Sequence, residues 1–282
     1  MTNRRKHSAG QSDKPAETRR REDRQVSSAA AITVPILRVQ VTPMTAAQTV
    51  TWIDGRGDGR ALLLNHNLHS VYYATVDPEF SALYELADRV IIDGAPIRLL
   101  SSLRVRGGLI SAYRVGSTDW ISLLSASKAP GVLAVVGATP ESNLAAVGRL
   151  SADLMPFGWS VVGRDGYGSW ESIVTWLNEV RPKLALVGLG MPLQEQFIRS
   201  NWSDLPPAVY ATVGGAIDYV AGANRLAPRW VGRLGVEWVW RLAHEPRRLA
   251  GRYLVEPFKL VLVLLQRSRT SRVSNRQPSG DA

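Results

Sequence analysis

The chain of 282 residues has a formal net charge of +10, and this charge is concentrated at its two ends. Residues 1–28 carry +4 and residues 225–282 carry +8, whereas residues 29–224 carry −2. The lack of cysteine excludes disulfides, thiolate metal sites and cysteine nucleophiles, and four scattered histidines give no support for a zinc site. No apolar run reaches the roughly 18 residues that span a bilayer. A neutral body with two basic ends indicates a globular domain with cationic attachments for a polyanion.

The first 30 residues are polar and charged, which predicts a disordered basic arm. Over residues 31–235, short apolar runs alternate with amphipathic segments, a pattern typical of a parallel sheet covered by helices on both faces. We therefore predict an α/β domain with a Rossmann-like, mainly parallel sheet. The predicted strands are Ala61–Leu64, Arg89–Ile92, Val132–Val136, Ser160–Val162, Leu184–Val187 and Val209–Val213. The predicted helices are Ser81–Ala87, Pro140–Leu154, Ser169–Val180 and Gln194–Trp202.

The residues that follow the predicted strands are candidates for a binding site, because ligands of such sheets bind beyond the carboxyl ends of the strands. Asp93 comes directly after the second strand and could act as a general base. An Asp-Gly pair also forms turns or caps helices, so that alternative stays open. The other candidates from this rule are Asn65, Asn67, Gly94, Gly137, Tyr167, Gly190, Gln194, Glu195, Gly215 and Asp218.

Two of these strand ends are rich in glycine. The glycines of residues 188–195 would let backbone N–H groups approach an anion at a helix start, but an ordinary tight turn explains the segment equally well. Residues 214–218 could admit a sugar or a nucleotide, with Asp218 binding hydroxyls, and close backbone packing is the alternative. Neither segment has the full dinucleotide fingerprint, which counts against an oxidoreductase.

The C-terminal region combines arginine, tryptophan and a short apolar run. Residues 225–252 contain seven arginines and three tryptophans. Arginine binds phosphate groups, and tryptophan favours the interface between water and an apolar phase. The run Leu260–Leu265 is too short to span a bilayer but could lie in its interface. We predict a membrane-associating helical appendage over residues 236–266 and a disordered basic tail over 267–282. A nucleic-acid-binding protein that uses both basic ends is the alternative, and no base-reading motif supports it.

In their order along the chain, these clusters resemble the WecG/TagA/CpsF family of bacterial glycosyltransferases from about Leu62 to Pro257. The motifs that carry the resemblance include Asn65-x-Asn67, Asp77-Pro78-Glu79, Asp93-Gly94, Arg114-Val115-Gly116, Asp165-Gly166-Tyr167, Gly188 to Glu195, Gly214-Gly215-Ala216, Glu237-Trp238 and Glu245-Pro246. The resemblance implies an inverting transferase that needs no metal or other cofactor. Its substrates would be a UDP-sugar, carrying N-acetylmannosamine or a related hexose, and a polyprenyl-diphosphate-linked saccharide used for cell-surface polysaccharides.

The resemblance also implies roles for individual positions. Asp93 matches the catalytic base, Gln194 and Asn65 match active-site positions, and Arg114 matches an arginine that binds substrate phosphates. Arg241 and Arg248 match arginines of a C-terminal appendage that closes over the active site at the membrane. We assign contact with the lipid diphosphate and an anionic membrane surface to Arg225, Arg241, Arg248 and Arg252. Such an enzyme would be cytoplasmic and peripheral on the inner face of the cell membrane, and homo-oligomers stay open.

Overall fold

A computed structural model describes residues 30–105, 108–224, 237–244 and 246–274. A short antiparallel hairpin of β1 (Ile32–Thr33) and β2 (Gln40–Val41) comes first, followed by α1 (Ala46–Asp54). The strands of the main sheet are β3 (Ala61–His66), β4 (Arg89–Ile92), β5 (Val132–Gly137), β6 (Ser160–Arg164), β7 (Leu184–Gly188) and β8 (Val209–Thr212). Its helices are α2 (Leu68–Val76), α3 (Pro78–Glu85), α4 (Ala95–Ser102), α5 (Ser117–Ile121), α6 (Pro140–Leu154), α7 (Trp170–Val180), α8 (Leu193–Asn201) and α9 (Ala216–Ala221).

The six strands form one parallel sheet in the order β4-β3-β8-β7-β5-β6. Because the strands are parallel, the carboxyl ends of all six lie at the same edge of the sheet. Those of β3, β8 and β7 lie side by side at its centre. The predicted Rossmann-like α/β sheet is confirmed, and each predicted apolar run lies in one of its strands, except that β8 ends at Thr212, one residue before the predicted end at Val213.

Helices cover both faces of the sheet because alternate strand residues point to opposite sides. Leu63 belongs to the core cluster on one face, which includes residues of α1, α5, α6 and α9, whereas Leu62 and Leu64 belong to the cluster on the other face, which includes residues of α3, α7 and α8. All three leucines are at most 1% exposed. Burial on both faces explains why the strands read as continuous apolar runs.

Two boundaries differ from the prediction at the edge that carries the candidate residues. β3 continues to His66, so Asn65 lies inside the strand instead of after it. α3 begins at Pro78, three residues before the predicted start. Asp77 caps this helix, since its Oδ1 accepts N–H groups of Glu79 and Phe80 at 2.9 and 3.2 Å. Proline at the first helical position needs no N–H partner, and the apolar pattern alone did not reveal this cap.

The C-terminal appendage is helical, as predicted. It consists of α10 (Glu237–His244), α11 (Pro246–Ala250), a π-helical turn (Gly251–Val255) and α12 (Glu256–Ser274). α12 extends beyond residue 266, at which we expected the appendage to end. Its Leu260 and Leu264 pack against the β1–β2 hairpin, α2 and α4 in a third apolar cluster. The predicted N-terminal arm lies outside the described residues except for Ala30, and the domain boundaries stay predictions.

Candidate active site

The carboxyl ends of β3, β4, β7 and β8 border two adjoining cavities of about 290 and 520 Å³. Both cavities are lined by Asn67, His69, Asp93, Arg252 and Tyr253, so these five residues stand where the cavities meet. Three of them come from the sheet edge and two come from the π-helical turn of the appendage. The appendage therefore forms one wall of the candidate site.

The smaller cavity has mostly apolar walls with two arginines. Its apolar lining comes from Leu68, Pro96, Trp238 and Pro257, and its cationic lining comes from Arg114 and Arg252. The N–H of Val115 donates to the Ile92 carbonyl oxygen at 2.8 Å, which holds the Arg114 segment against the end of β4. This cavity can accept a ligand that is part apolar and part anionic.

The larger cavity is lined by hydroxyls, amides and glycine backbone. The hydroxyl residues Ser117 and Thr118 stand at the start of α5. Gly190, Gly214 and Gly215 occupy the turns after β7 and β8, and a Cβ on any of them would meet no atom within 4 Å. Backbone N–H groups can therefore be approached closely here, as binding of a phosphorylated ligand requires.

Asp93 is held at the junction of the cavities by contacts from its neighbour strand. Its N–H donates to the His66 carbonyl oxygen at 2.9 Å, which continues the β3–β4 pairing past the end of β4. Its carboxylate Oδ2 accepts a hydrogen bond from Asn67 Nδ2 at 3.3 Å. Gly94 follows with φ of 110°, a conformation that favours glycine and turns the chain into α4.

Asn67 fixes both the start of α2 and the orientation of Asp93. Its Oδ1 accepts the N–H groups of His69 and Ser70 at 3.0 and 3.1 Å, which caps the helix. This leaves its Nδ2 as the donor to the Asp93 carboxylate. The neighbouring Asn65 is 8% exposed, and its Nδ2 donates to the Thr212 carbonyl oxygen at 3.2 Å, which ties β3 to the end of β8.

Gln194 and Glu195 form a buried polar pair beneath the larger cavity. Gln194 Nε2 donates to Glu195 Oε1 at 2.8 Å, and Gln194 Oε1 accepts the N–H of Gly214 at 3.0 Å. The two side chains are 2% and 1% exposed, and Glu195 Oε2 has no hydrogen-bond partner among the described residues. Burial raises the pKa of Glu195 to about 7, against smaller opposing effects of the Gln194 hydrogen bond and of Arg252.

The appendage is joined to the sheet edge by an imidazole–carboxylate contact. Nδ1 of His69 lies 2.5 Å from Oε2 of Glu256, the first residue of α12. Next to it, the guanidinium of Arg252 lies 5.7 Å from the centroid of the Tyr253 ring. The residues His69, Tyr253 and Glu256 were not among the predicted site residues. Their sequence positions gave no signal, because the contact joins residues 187 apart in the chain.

Most of the predicted site residues converge. Those that line a cavity are Asn65, Asn67, Asp93, Gly94, Arg114, Gly190, Gln194, Gly215 and Arg252. Four others line neither cavity, namely Gly137, Tyr167, Glu195 and Asp218. Arg225 lies outside the described residues, as do the side chains of Arg241 and Arg248, whose backbones lie in α10 and α11.

Gly137 has a packing role that explains why it is a glycine. A Cβ at this position would lie 2.5 Å from the carbonyl carbon and oxygen of Gly188 in the adjacent strand, and φ is 111°. Asn143 covers the same strand end, because its Nδ2 donates to the carbonyl oxygens of Val135, Gly137 and Arg164 at 2.9–3.1 Å. The end of β5 is therefore packed by protein atoms.

The family model for the glycosyl transferase WecG/TagA/CpsF family matches residues 34–274. The chain belongs to this family. It is therefore a glycosyltransferase that acts in cell-surface polysaccharide synthesis. The match covers the sheet, both cavities and the appendage up to the last described residue, so the site of this glycosyltransferase is formed by elements within the family region.

Two further properties concern the described part of this transferase. In the ranges that the structure describes, no helix combines the length and the apolar character needed to cross a bilayer. Within those same ranges, no three His, Asp or Glu side chains lie close enough together to hold a metal ion.

Proposed function

We propose that this glycosyltransferase inverts the anomeric carbon as it moves a hexose, N-acetylmannosamine or a related sugar, from a UDP-sugar to a polyprenyl-diphosphate-linked saccharide. The observation that carries the proposal is the position of Asp93 between two cavities of different character. A single carboxylate between a donor site and an acceptor site is what direct displacement requires, since no covalent glycosyl-enzyme forms and one base suffices.

In the proposed step, the Asp93 carboxylate takes the proton of the acceptor hydroxyl. The acceptor oxygen forms a bond to the anomeric carbon on the face opposite the leaving group. The bond between that carbon and the diphosphate oxygen breaks, and UDP leaves with the electron pair. The hydrogen bond from Asn67 Nδ2 leaves Asp93 Oδ1 for the acceptor hydroxyl. UDP gains negative charge in this step, so nearby cations and backbone N–H groups lower the barrier.

The larger cavity is the proposed donor site. Its volume of about 520 Å³ is within the range of pockets that hold cofactor-sized ligands. The open backbone at Gly190 and Gly215 supports binding of the donor diphosphate, and the hydroxyls of Ser117 and Thr118 support binding of a sugar. Gln194 links the turn after β7 to the turn after β8, because its side-chain Oε1 at the start of α8 accepts the Gly214 N–H.

The smaller cavity is the proposed site of the lipid-linked acceptor. Its arginines Arg114 and Arg252 support binding of the acceptor diphosphate, because guanidinium groups match phosphate oxygens with paired donors. Two residues of its apolar wall, Trp238 and Pro257, belong to the appendage. From there the appendage continues into exposed apolar side chains of α12, among them Phe258, Val261 and Leu262.

The same exposed face supports a peripheral position on a membrane. Large apolar side chains on a helix surface bind at a bilayer interface, and the net charge of +8 over residues 225–282 adds attraction to anionic lipids. Flotation with liposomes containing anionic lipid tests this part. We expect the wild-type protein to float and the double variant Phe258→Glu/Leu262→Glu to remain at the bottom. Equal flotation of both proteins would contradict membrane binding by this face.

A donor screen tests the reaction itself. Purified enzyme is incubated with a panel of radiolabelled UDP-sugars and a short-chain prenyl-diphosphate-linked N-acetylglucosamine, and product is measured by extraction and NMR. We expect transfer from one UDP-hexose, with the anomeric configuration of the product opposite to that of the donor. Transfer with retained configuration would refute the single-displacement mechanism, and activity only with a non-uridine donor would refute the donor class.

A further inference from the structure

The imidazole of His69 lines the candidate site and contacts a carboxylate that can orient it. His69 is the second residue of α2, next to the Asn67 cap, and lines both cavities together with Asp93. Its Nδ1 contacts Oε2 of Glu256 at 2.5 Å. The side chains of His69 and Glu256 are 12% and 20% exposed, so the contact is largely shielded from water.

The contact determines what the other ring nitrogen can do. A carboxylate can only accept, so Nδ1 carries the hydrogen in this pair, and the neutral ring keeps a lone pair on Nε2. Among the described residues, Nε2 of His69 has no hydrogen-bond partner. When a proton is added, the ring donates from both nitrogens, and Nε2–H becomes a charged donor in a residue that lines both cavities.

Charged and aromatic side chains surround this imidazole, and the side next to Arg252 suits an anionic ligand. Facing the pair are Asp93 from the end of β4, Arg252 and Tyr253 from the π-helical turn, and Tyr73 from α2, whose ring lies edge-on at 5.1 Å. Glu256 balances one positive charge on the ring, and Arg252 marks the adjoining space as favourable for phosphate.

We propose that His69 is a further substrate-contacting residue, which donates Nε2–H to a phosphate oxygen of the diphosphate bound where the two cavities meet. Glu256 is the positioning residue that holds the ring from the appendage. The diphosphate belongs either to the nucleotide donor or to the lipid-linked acceptor. This inference rests on the proposed function, because it needs a diphosphate ligand in this site.

The arrangement also gives the appendage a specific part in substrate binding. Glu256 begins α12, whereas His69 belongs to the sheet edge, so the pair is complete only when the appendage is docked. A diphosphate that needs both ring nitrogens protonated will take up a proton when it binds, so its binding will be tighter at lower pH.

The test compares the wild type, His69→Gln and Glu256→Gln, with His244→Gln as a matched control on the exposed face of α10. Binding of UDP is measured by calorimetry at pH 6, 7 and 8, with melting temperatures to verify folding. The KM for a farnesyl-diphosphate-linked N-acetylglucosamine is measured at the same pH values. Subtracting the variant from the wild type removes the titration of UDP itself.

We expect His69→Gln to weaken one ligand about tenfold at pH 6, the size of one charge-assisted hydrogen bond, and to have a smaller effect at pH 8. Glu256→Gln should give the same pattern with a smaller loss, and His244→Gln should match the wild type. A change in the UDP dissociation constant assigns the contact to the donor, and a change confined to the acceptor KM assigns it to the lipid diphosphate.

Wild-type values for both ligands in His69→Gln at all three pH values would overturn the inference. If that variant does not fold, Glu256→Gln decides the question, because wild-type pH profiles for both ligands in that variant would equally overturn it. Either result leaves the proposed function intact as long as the wild type binds UDP. If the wild type itself fails to bind UDP at any pH, the proposed donor class is wrong.

Discussion

Replacing Glu195 with glutamine tests the energetic cost of a carboxylate buried beneath the larger cavity, the proposed donor site. Burial raises the pKa of Glu195 from 4.5 to about 7. A carboxyl group with a raised folded-state pKa contributes stability that is present below the unfolded pKa and is lost as the pH rises through the folded pKa. A difference of this size corresponds to about 3 kcal/mol once the group is fully ionised.

The glutamine variant removes the charge and keeps the acceptor oxygen for the Gln194 side chain. The free energy of unfolding is measured in urea at pH 5, 6, 7 and 8 for both proteins. We expect the variant to gain about 2.5 kcal/mol relative to the wild type between pH 5 and pH 8. Glu85→Gln on the exposed end of α3 is the control and should show no such trend. A difference between Glu195→Gln and wild type that stays constant with pH within about 0.5 kcal/mol would show that burial does not raise the pKa of Glu195.

Three further predictions concern residues near the strand ends. Gly137→Ala should lower the free energy of unfolding by about 3 kcal/mol or more, because its Cβ would overlap the backbone of β7, whereas Gly190→Ala should cost only about 1–2 kcal/mol for its φ of 79°; equal losses in urea unfolding would contradict this. Asn143→Ala should cost about 2 kcal/mol by the same assay, since three carbonyl oxygens lose a buried donor, and a loss below about 0.5 kcal/mol would show that these bonds matter little. Asn67→Asp should keep the helix cap but replace the donor to Asp93 with a second carboxylate, so kcat/KM should fall by about tenfold, the size of one lost charge-assisted hydrogen bond; an unchanged kcat/KM would mean that the Asn67 contact does not matter for Asp93.

The sheet and the position of Asp93 could be predicted from the sequence because both depend on local pattern. Strands buried on both faces are uniformly apolar, so the amino-acid order alone marks each run from Ala61 to Thr212. The rule that ligands bind at carboxyl strand ends then selected Asp93, Asn67 and Gln194, all of which line a cavity.

The same rule could not separate glycines that face a ligand from glycines that pack. Gly137 and Gly190 both follow apolar strands and both have positive φ. Only the structure shows that a Cβ at Gly137 would meet the backbone of Gly188, whereas a Cβ at Gly190 would meet nothing within 4 Å. The difference depends on which strand is the neighbour, and the strand order is a property of the whole chain.

The local sequence pattern also could not predict which residues of the appendage line the cavities. Arginine and tryptophan content indicated an anionic or membrane-facing surface, but it did not indicate that Tyr253 and Glu256 line the cavities at the sheet edge. The contact between His69 and Glu256 depends on how α12 docks against α2, where Leu260 and Leu264 pack in the third apolar cluster.

Asp93 is the proposed base for direct displacement at the junction of the two cavities. The most direct measurement is the kcat of Asp93→Asn with a UDP-sugar and a prenyl-diphosphate-linked acceptor, together with the dissociation constant of UDP. Asp165→Asn is the matched control, since Asp165 also follows a strand but lines neither cavity. We expect kcat to fall by about 10²-fold or more in Asp93→Asn, with UDP binding within about threefold of the wild type and Asp165→Asn unaffected. Turnover by Asp93→Asn at a rate close to the wild type would show that Asp93 is not the base.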